Sequence, residues 1–206
     1  MDCIALRYVP GNSIESVYLQ KGSFSEVMIQ KYVYQMVQGL RYAHSKHIIH
    51  RDMKGKNVLI DNHGLVKIAD FGNSILTEKD ENNAFTMDFE ATPLWTAPEA
   101  FKGSYDFKYD IWGMGCVIIE MASAQRPWAE CNFKNPMQAL FHIGKTKDRP
   151  VWPTSLSVAC QSFIAKCLVR DPNDRYDTEQ LLNHRFLKVV KRRKGNNGYT
   201  VDRRAW

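Results

Sequence analysis

Two aspartates, an asparagine and a lysine, a set that could hold a metal ion, neutralise charge and accept a proton, stand close together in the first half of the chain. They lie in IIHRDMKGKNVLI, residues 48–60, and IADFG, residues 68–72, and they are Asp52, Lys54, Asn57 and Asp70. Carboxylate and amide oxygens are hard ligands suited to Mg²⁺, which commonly binds one or two carboxylates together with substrate phosphates. Phosphoryl transfer needs positioned reactants, neutralised charge and an oriented hydroxyl group. This set of residues therefore indicates phosphoryl-transfer chemistry.

Strand and turn signals flank these segments. Residues 3–9, CIALRYV, are predicted to form a short strand that ends at the turn Pro10-Gly11-Asn12. Residues 57–60 and 65–68 are two β-branched runs joined by Asp61-Asn62-His63-Gly64. The chemistry of that turn predicts a β-hairpin directly beside the candidate site.

Helical periodicity dominates the remainder of the chain. A helix is predicted from Ser25-Glu26 to about His44, on apolar positions at helical spacing: Val27, Tyr34, Val37, Leu40 and Tyr42.

Residues 108–122 are apolar on nearly all sides, which predicts a buried central helix. Shorter helices are predicted at 136–143, 157–168 and 178–183, and the polar stretch 73–90 is predicted to be a functional or disordered loop. The expected fold is one α+β domain, mainly helical, with a short hairpin at its front.

Composition excludes several classes of protein. The 206 residues are 44% hydrophobic and 24% charged, an ordinary globular balance. The nearly apolar run 111–121 is too short to span a bilayer and contains Glu120. No signal-peptide pattern is present, so we expect a cytoplasmic location. Five cysteines without a Cys-x-x-Cys pair fit reduced thiols, and Cys160 and Cys167 are expected to be buried core residues rather than metal ligands.

The formal net charge of +6 is concentrated at the C-terminus, in KVVKRRK at residues 188–194 and in Arg203 and Arg204. We interpret this run as a solvated tail, with contact to nucleic acid or anionic lipid as the less favoured alternative. No basic groove interleaved with aromatic residues is present, so no nucleic-acid partner is expected.

Five motifs in the same order resemble the eukaryotic-type serine/threonine protein kinase catalytic domain. His50-Arg51-Asp52 with Asn57 resembles the catalytic loop, and Asp70-Phe71-Gly72 resembles the metal-binding turn. Ala97-Pro98-Glu99 is similar to the end of the activation segment. The start of a central helix and a late arginine complete the set, at Asp110-Ile111-Trp112-Gly113 and Arg175.

The resemblance implies ATP and Mg²⁺ and a role for each catalytic residue. Asp52 would accept or orient the proton of the attacking hydroxyl group, and Lys54 would contact the transferred phosphate. Asn57 and Asp70 would hold the magnesium ions. Thr92 would hydrogen-bond the base and the lysine, which favours serine/threonine specificity.

Binding and structural roles follow in the same way. Leu59 would lie under the adenine ring, and the backbone of Arg7 and Val9 would bind its edge. Residues expected to pack or to bind backbone rather than to react are His50, Phe71, Gly72 and Asp110. Glu99 and Arg175 are expected to form a buried ion pair that holds the activation segment.

Residues 22–61 are most similar to the kinases that act at the top of mitogen-activated cascades, the MEK-kinase branch. The Gly55-Lys56 insert and the segment TPLWTAPE at 92–99 favour this branch. It implies downstream kinases as protein substrates. Arg51 before Asp52 is the arrangement linked to phosphorylation of the activation loop, with Thr86 preferred over Thr77 as the site.

The resemblance divides the chain into a last N-lobe strand and hinge at 1–12, a C-lobe at 13–187 with its activation segment at 70–99, and a basic tail at 188–206. A Gly-rich loop, a strand lysine and a helix glutamate are not found, so we expect the N-lobe to be largely absent and these residues alone to show little phosphotransfer. Two alternatives stay open: a kinase whose catalytic residues lie here, or a kinase-lobe module that docks partners without catalysis.

Overall fold

The computed structural model describes residues 10–77, 93–103 and 105–188. The strands in this part are β1 (Gly11–Ser13), β2 (Ile48–Ile49), β3 (Val58–Asp61), β4 (Val66–Ile68) and β5 (Ile75–Leu76). The helices are α1 (Ile14–Lys21), α2 (Glu26–Ser45), α3 (Lys108–Ser123), α4 (Pro136–Lys145), α5 (Val158–Cys167) and α6 (Thr178–Leu182). Short 3₁₀ turns lie at Gly55–Asn57, Phe71–Asn73, Pro93–Trp95, Pro98–Lys102 and Ala129–Cys131. The α+β, mainly helical fold is confirmed, and it fits a kinase-like lobe.

The central helix α3 is buried along almost its whole length, as its all-round apolar character predicts. Two glycines let its neighbours approach closely. A Cβ at Gly113 would lie 2.8 Å from the Cβ of Met53, and one at Gly115 would lie 2.8 Å from Cδ2 of Leu168. The segment that follows β2 therefore packs directly on one side of α3, and the end of α5 packs on the other.

Helix α2 runs as predicted, but the predicted apolar face is partly wrong. Val27 is 66% exposed and Tyr42 is 48% exposed. The predicted positions Tyr34, Val37 and Leu40 are buried, and Ile29, Val33 and Met36 complete the buried stripe. Helix α2 packs on α3, α6 and β4, and these neighbours select which side of a broadly apolar helix is buried.

The hairpin is confirmed, with Val58 opposite Ile68 and Ile60 opposite Val66. Asp61 closes its turn, because its Oδ1 accepts hydrogen bonds from the N–H groups of His63 and Leu65 at 2.9 and 2.8 Å. A third strand was not predicted: β1 pairs antiparallel with β3, although its first two residues had been interpreted as part of a turn.

Helix α1 was also missed. Ser13 caps it, with Oγ accepting from the N–H of Ser16 at 3.1 Å, and Gly22 ends it at a positive φ of 79°. Only Ile14 and Tyr18 of this helix are buried, so its apolar periodicity is too short to be recognised in the sequence.

A second, two-stranded ribbon joins β2 to β5, with Ile49 opposite Ile75. Strand β5 lies in the stretch predicted to be a polar loop, and it brings the residues after Asp70 back beside those before His50. Residues 78–90 of that stretch lie outside the described residues, as do the predicted strand at 3–9 and the tail beyond Lys188.

The remaining helices begin and end within about two residues of the predicted positions. Cys160 and Cys167 are fully buried, and burial raises the pKa of both thiols, to about 12 for Cys160. In the described part of the chain, no three His, Cys, Asp or Glu side chains are grouped as a metal site would require. None of the described helices is long and apolar enough to cross a bilayer.

Candidate active site

Asp110 fixes the backbone that carries the candidate catalytic residues. Its buried carboxylate, in the first turn of α3, accepts from the N–H groups of His50 and Arg51, both at 2.9 Å. The Nε2 of His44 lies 2.9 Å from the same group. Arg51 has a positive φ of 64°, a conformation that a non-glycine residue keeps only when its surroundings impose it. Asp110 thus binds backbone, as the resemblance implies.

Asp52, Lys54 and Asn57 form one compact cluster. The Oδ2 of Asp52 lies 2.7 Å from the Nζ of Lys54 and accepts from the Nδ2 of Asn57 at 2.8 Å. The same Nδ2 donates to the main-chain oxygen of Asp52 at 2.9 Å. Asp52 is only 8% exposed, so its carboxylate is held in a fixed place beside a cation.

The segment with Asp70 is tied to this cluster through the residue before it. The N–H of Ala69 donates to the main-chain oxygen of Asn57 at 2.9 Å, and the main-chain oxygen of Ala69 lies 3.0 Å from the Nε2 of His50. Asp70 itself is exposed and has a positive φ of 65°. A Cβ at Gly72 would lie 3.3 Å from the Oδ1 of Asp70, so a larger residue there would crowd the carboxylate.

His50 and Phe71 touch each other. Their rings meet edge to face, with centroids 4.7 Å apart, and His50 is buried. Phe71 is 43% exposed, so it packs on only one side within the described residues.

The donor set fits magnesium. Asn57 commits its Nδ2 to Asp52, which leaves its amide oxygen as the group able to bind a cation, and Asp70 adds an exposed carboxylate from the adjoining segment. Both are hard oxygen ligands. Leu59 is half-buried on β3, opposite Lys67 of β4. Arg7, Val9 and Thr92 lie outside the described residues.

The predicted regulatory residues are only partly within the described chain. The Nε of Arg51 donates to the main-chain oxygen of Asn73 at 2.6 Å, and its guanidinium lies over the ring of Tyr105, 5.5 Å from the centroid. Thr77 donates both its N–H and its hydroxyl to the main-chain oxygen of His47, at 2.9 and 3.3 Å. Thr86 lies outside the described residues.

The expected ion pair between Glu99 and Arg175 is present and buried. The two guanidinium nitrogens of Arg175 donate to the two carboxylate oxygens of Glu99, at 2.6 and 2.9 Å. Arg175 also donates to the main-chain oxygens of Val169 and Lys108, at 2.7 and 2.8 Å. The turn at Pro98–Lys102 is thereby anchored to the base of α3.

One buried carboxylate was not identified as a functional residue. Glu120 on α3 is fully buried and accepts hydrogen bonds from Gly55, Trp95 and Tyr18. Burial raises its pKa to about 7. The one signal in the sequence is an acid inside the otherwise apolar run 111–121.

Comparison with known proteins shows the family of this chain. The protein kinase domain model matches residues 2–187, and the chain belongs to that family. The chain is 40% identical over 185 residues to mitogen-activated protein kinase kinase kinase 2 of Arabidopsis thaliana, covering 89% of this chain and 28% of that protein. It is 39% identical over 189 residues to the Arabidopsis kinase YODA, covering 91% of this chain and 21% of that protein.

A third relative is mitogen-activated protein kinase kinase kinase A of Dictyostelium discoideum, 41% identical over 185 residues. That alignment covers 89% of this chain and 19% of the relative. The chain thus spans between 19% and 28% of the length of these three relatives.

Proposed function

We propose that this chain carries the catalytic centre of a serine/threonine protein kinase that transfers phosphate from ATP to protein hydroxyl groups in a mitogen-activated kinase cascade. The observation that supports the proposal is the cluster of Asp52, Lys54 and Asn57. The hydrogen bond from the N–H of Ala69 to the main-chain oxygen of Asn57 holds Asp70 beside this cluster. Family membership supports the same reaction.

In this reaction, the substrate hydroxyl oxygen forms a bond to the γ-phosphorus while the bond to the β,γ-bridging oxygen breaks, giving ADP and a phosphoprotein. Asp52 orients the hydroxyl group and takes its proton. Lys54, whose Nζ lies 2.7 Å from the Oδ2 of Asp52, neutralises negative charge on the phosphate group as it is transferred. Mg²⁺, when bound, neutralises the ATP phosphates, and Asn57 and Asp70 would hold it.

Further residues complete the nucleotide and hydroxyl sites in this proposal. Leu59 would lie under the adenine ring and the backbone of Arg7 and Val9 would bind its edge. Thr92 would hydrogen-bond Asp52 and Lys54. We assign residues 1–12 to the last N-lobe strand and hinge, 13–187 to the C-lobe, and 188–206 to a basic tail, and we place the protein in the cytoplasm.

The relatives named as kinase kinase kinases support downstream kinases as the substrates. Arg51 supports control by a phosphate on the activation loop, with Thr86 preferred and Thr77 second. We expect Thr86→Ala to lower the activity reached after activation. Unchanged activity in a sample whose loop carries no phosphate, shown by mass spectrometry, would contradict this assignment.

The decisive experiment is phosphotransfer from ATP and Mg²⁺ to a catalytically dead downstream kinase, with the protein expressed from its complete reading frame. Asp52→Asn keeps the side-chain shape but cannot accept the proton, so we expect kcat to fall about 100-fold or more. The matched control is Glu130→Gln, an exposed carboxylate far along the chain, which should leave kcat unchanged. A wild-type rate no greater than that of Asp52→Asn would overturn the proposal and favour a docking module without catalysis.

A further inference from the structure

Three donors from three separate parts of the chain converge on the buried carboxylate of Glu120. Its Oε2 accepts from the N–H of Gly55 and from the indole Nε1–H of Trp95, both at 2.8 Å. Its Oε1 accepts from the hydroxyl group of Tyr18 at 3.2 Å. Glu120 thus connects the catalytic loop, the turn at Pro93–Trp95 and helix α1 to the central helix.

The hydrogen bond between Glu120 and Gly55 holds the residue that directly follows the candidate catalytic Lys54. The N–H of Gly55 belongs to the peptide that starts at Lys54, and the Nζ of Lys54 lies 2.7 Å from the Oδ2 of Asp52. A Cβ at position 55 would lie 2.7 Å from the Oε1 of Glu120, closer than a carbon can approach. The carboxylate of Glu120 therefore leaves room only for glycine at position 55, which explains the glycine of the Gly55-Lys56 insert.

Several titratable and charged groups surround the carboxylate. Glu15 and Tyr18 face it from α1, Cys116 lies one turn earlier on α3, and Arg126 acts on Tyr18. Burial is the main cause that raises the pKa of Glu120 to about 7, and Glu15 adds to it. The hydrogen bonds from Trp95, Gly55 and Tyr18 work in the opposite direction.

We propose that Glu120, in its ionised form, is a positioning residue for phosphoryl transfer, which fixes the Lys54–Gly55 peptide against Trp95 and so holds Lys54 beside Asp52. This inference rests on the proposed function. An ionised carboxylate only accepts, so it can serve all three donors at once. Protonation removes the negative charge that strengthens these hydrogen bonds, and a proton on Oε2 competes with the N–H groups of Gly55 and Trp95 for that oxygen. The Lys54–Gly55 peptide then loosens, and small displacements of catalytic groups lower the rate steeply.

The kinetic test compares wild type, Glu120→Gln and the exposed control Glu130→Gln in the phosphotransfer assay. For wild type and control we expect kcat to fall as the pH is lowered, with a midpoint near the pKa of Glu120; this fall is called the acid limb of the pH profile. Glu120→Gln cannot ionise, so we expect kcat about 10-fold or more below wild type per folded molecule, KM for ATP within about twofold, and no fall in kcat with a midpoint near pH 7.

Tyr18→Phe provides a second variant in case Glu120→Gln does not fold. It removes one donor without substituting a catalytic-loop residue, so it should raise the pKa of Glu120 and move the fall in kcat to higher pH. An acid limb at an unchanged pH in Tyr18→Phe, or a wild-type pH profile in folded Glu120→Gln, would overturn the inference.

A readout that does not need catalysis separates this inference from the proposed function. In NMR spectra of ¹⁵N-labelled protein, the indole N–H of Trp95 and the amide of Gly55 should titrate together near neutral pH in wild type and not in Glu120→Gln. Signals that do not titrate together would overturn the inference while leaving the kinase assignment intact. Joint titration without any phosphotransfer in wild type would overturn the proposed function, and the positioning role with it.

Discussion

Besides Asp52, three buried carboxylates lie on or near the central helix, and they differ in the groups that donate hydrogen bonds to them. Glu99 faces a guanidinium group, Asp110 accepts from backbone N–H groups and from His44, and Glu120 accepts from neutral donors. A buried charge is costly unless it is paired and hydrogen-bonded, and the partner decides how it responds to change. Glu99 is therefore sensitive to the loss of its cation, whereas Glu120 is sensitive to pH.

The Glu99–Arg175 pair provides the prediction at the residue scale. Arg175→Met removes the cation and leaves Glu99 buried without its partner, so we expect the free energy of unfolding to fall by about 3–5 kcal/mol. The matched control is Arg41→Met, which breaks the exposed 2.7 Å pair with Glu179 and should cost about 0–1 kcal/mol. Urea unfolding measures both. Equal losses in the two variants would show that Glu99 is not an uncompensated buried charge.

At the scale of elements, helix α3 serves the site with one side and the helical core with the other. Gly113 faces Met53, next to Asp52, and the nearest atoms to an added Cβ include the main-chain oxygen of Met53 at 2.9 Å. Gly115 faces the end of α5 instead, where an added Cβ would lie 2.8 Å from Cδ2 of Leu168 and 2.9 Å from the Cβ of Cys167. Gly113 therefore lies on the side of α3 that supports the catalytic loop, and Gly115 lies on the side that packs against the helical core.

Alanine at each position tests this separation. Both variants gain about 0.5–1 kcal/mol of helix preference, which offsets part of the crowding. We expect Gly113→Ala to displace the catalytic loop and lower kcat about 10-fold or more, because main-chain atoms must move. Gly115→Ala should leave kcat within about twofold of wild type. Steady-state kinetics with a urea midpoint for each variant checks this, and equal kcat values for the two would contradict the division of faces.

On the scale of the whole molecule, the catalytic loop, the turn at Pro93–Trp95 and helix α1 meet at one carboxylate in the core. The proposed function and the stability of the fold favour opposite protonation states of Glu120. The proposed positioning role needs ionised Glu120, but ionisation inside the core carries a desolvation cost. The molecule is therefore expected to be most stable on the acid side of neutrality and most active on the basic side.

The pH dependence of stability follows from the sign of this shift. The ordinary pKa is 4.5 and burial raises it to about 7 in the folded state, so between these values the folded protein binds the proton more tightly. Stability from this group is present below pH 4.5 and is lost as pH rises through about 7, a change of roughly 3 kcal/mol. The contribution of Glu120 is the difference between the free energies of unfolding of wild type and Glu120→Gln, measured with urea from pH 5 to pH 8. A difference that is flat or rises with pH would contradict the prediction.

The sequence by itself determined the helices other than α1, the hairpin, the candidate catalytic residues and the family. These features are encoded locally: the spacing of Asp52, Lys54 and Asn57 in one loop, the apolar run of α3, and the turn at Asp61-Asn62-His63-Gly64. Periodicity and turn chemistry act over a few residues, so they can be read without knowing the fold.

Only the tertiary structure decided which face of α2 is buried, that β1 joins the hairpin, and that Glu120 is a shared acceptor. The donors to Glu120 stand 25, 65 and 102 residues away in the chain, at Trp95, Gly55 and Tyr18. No local pattern encodes such contacts, because burial and the pKa it sets depend on which distant segments pack together.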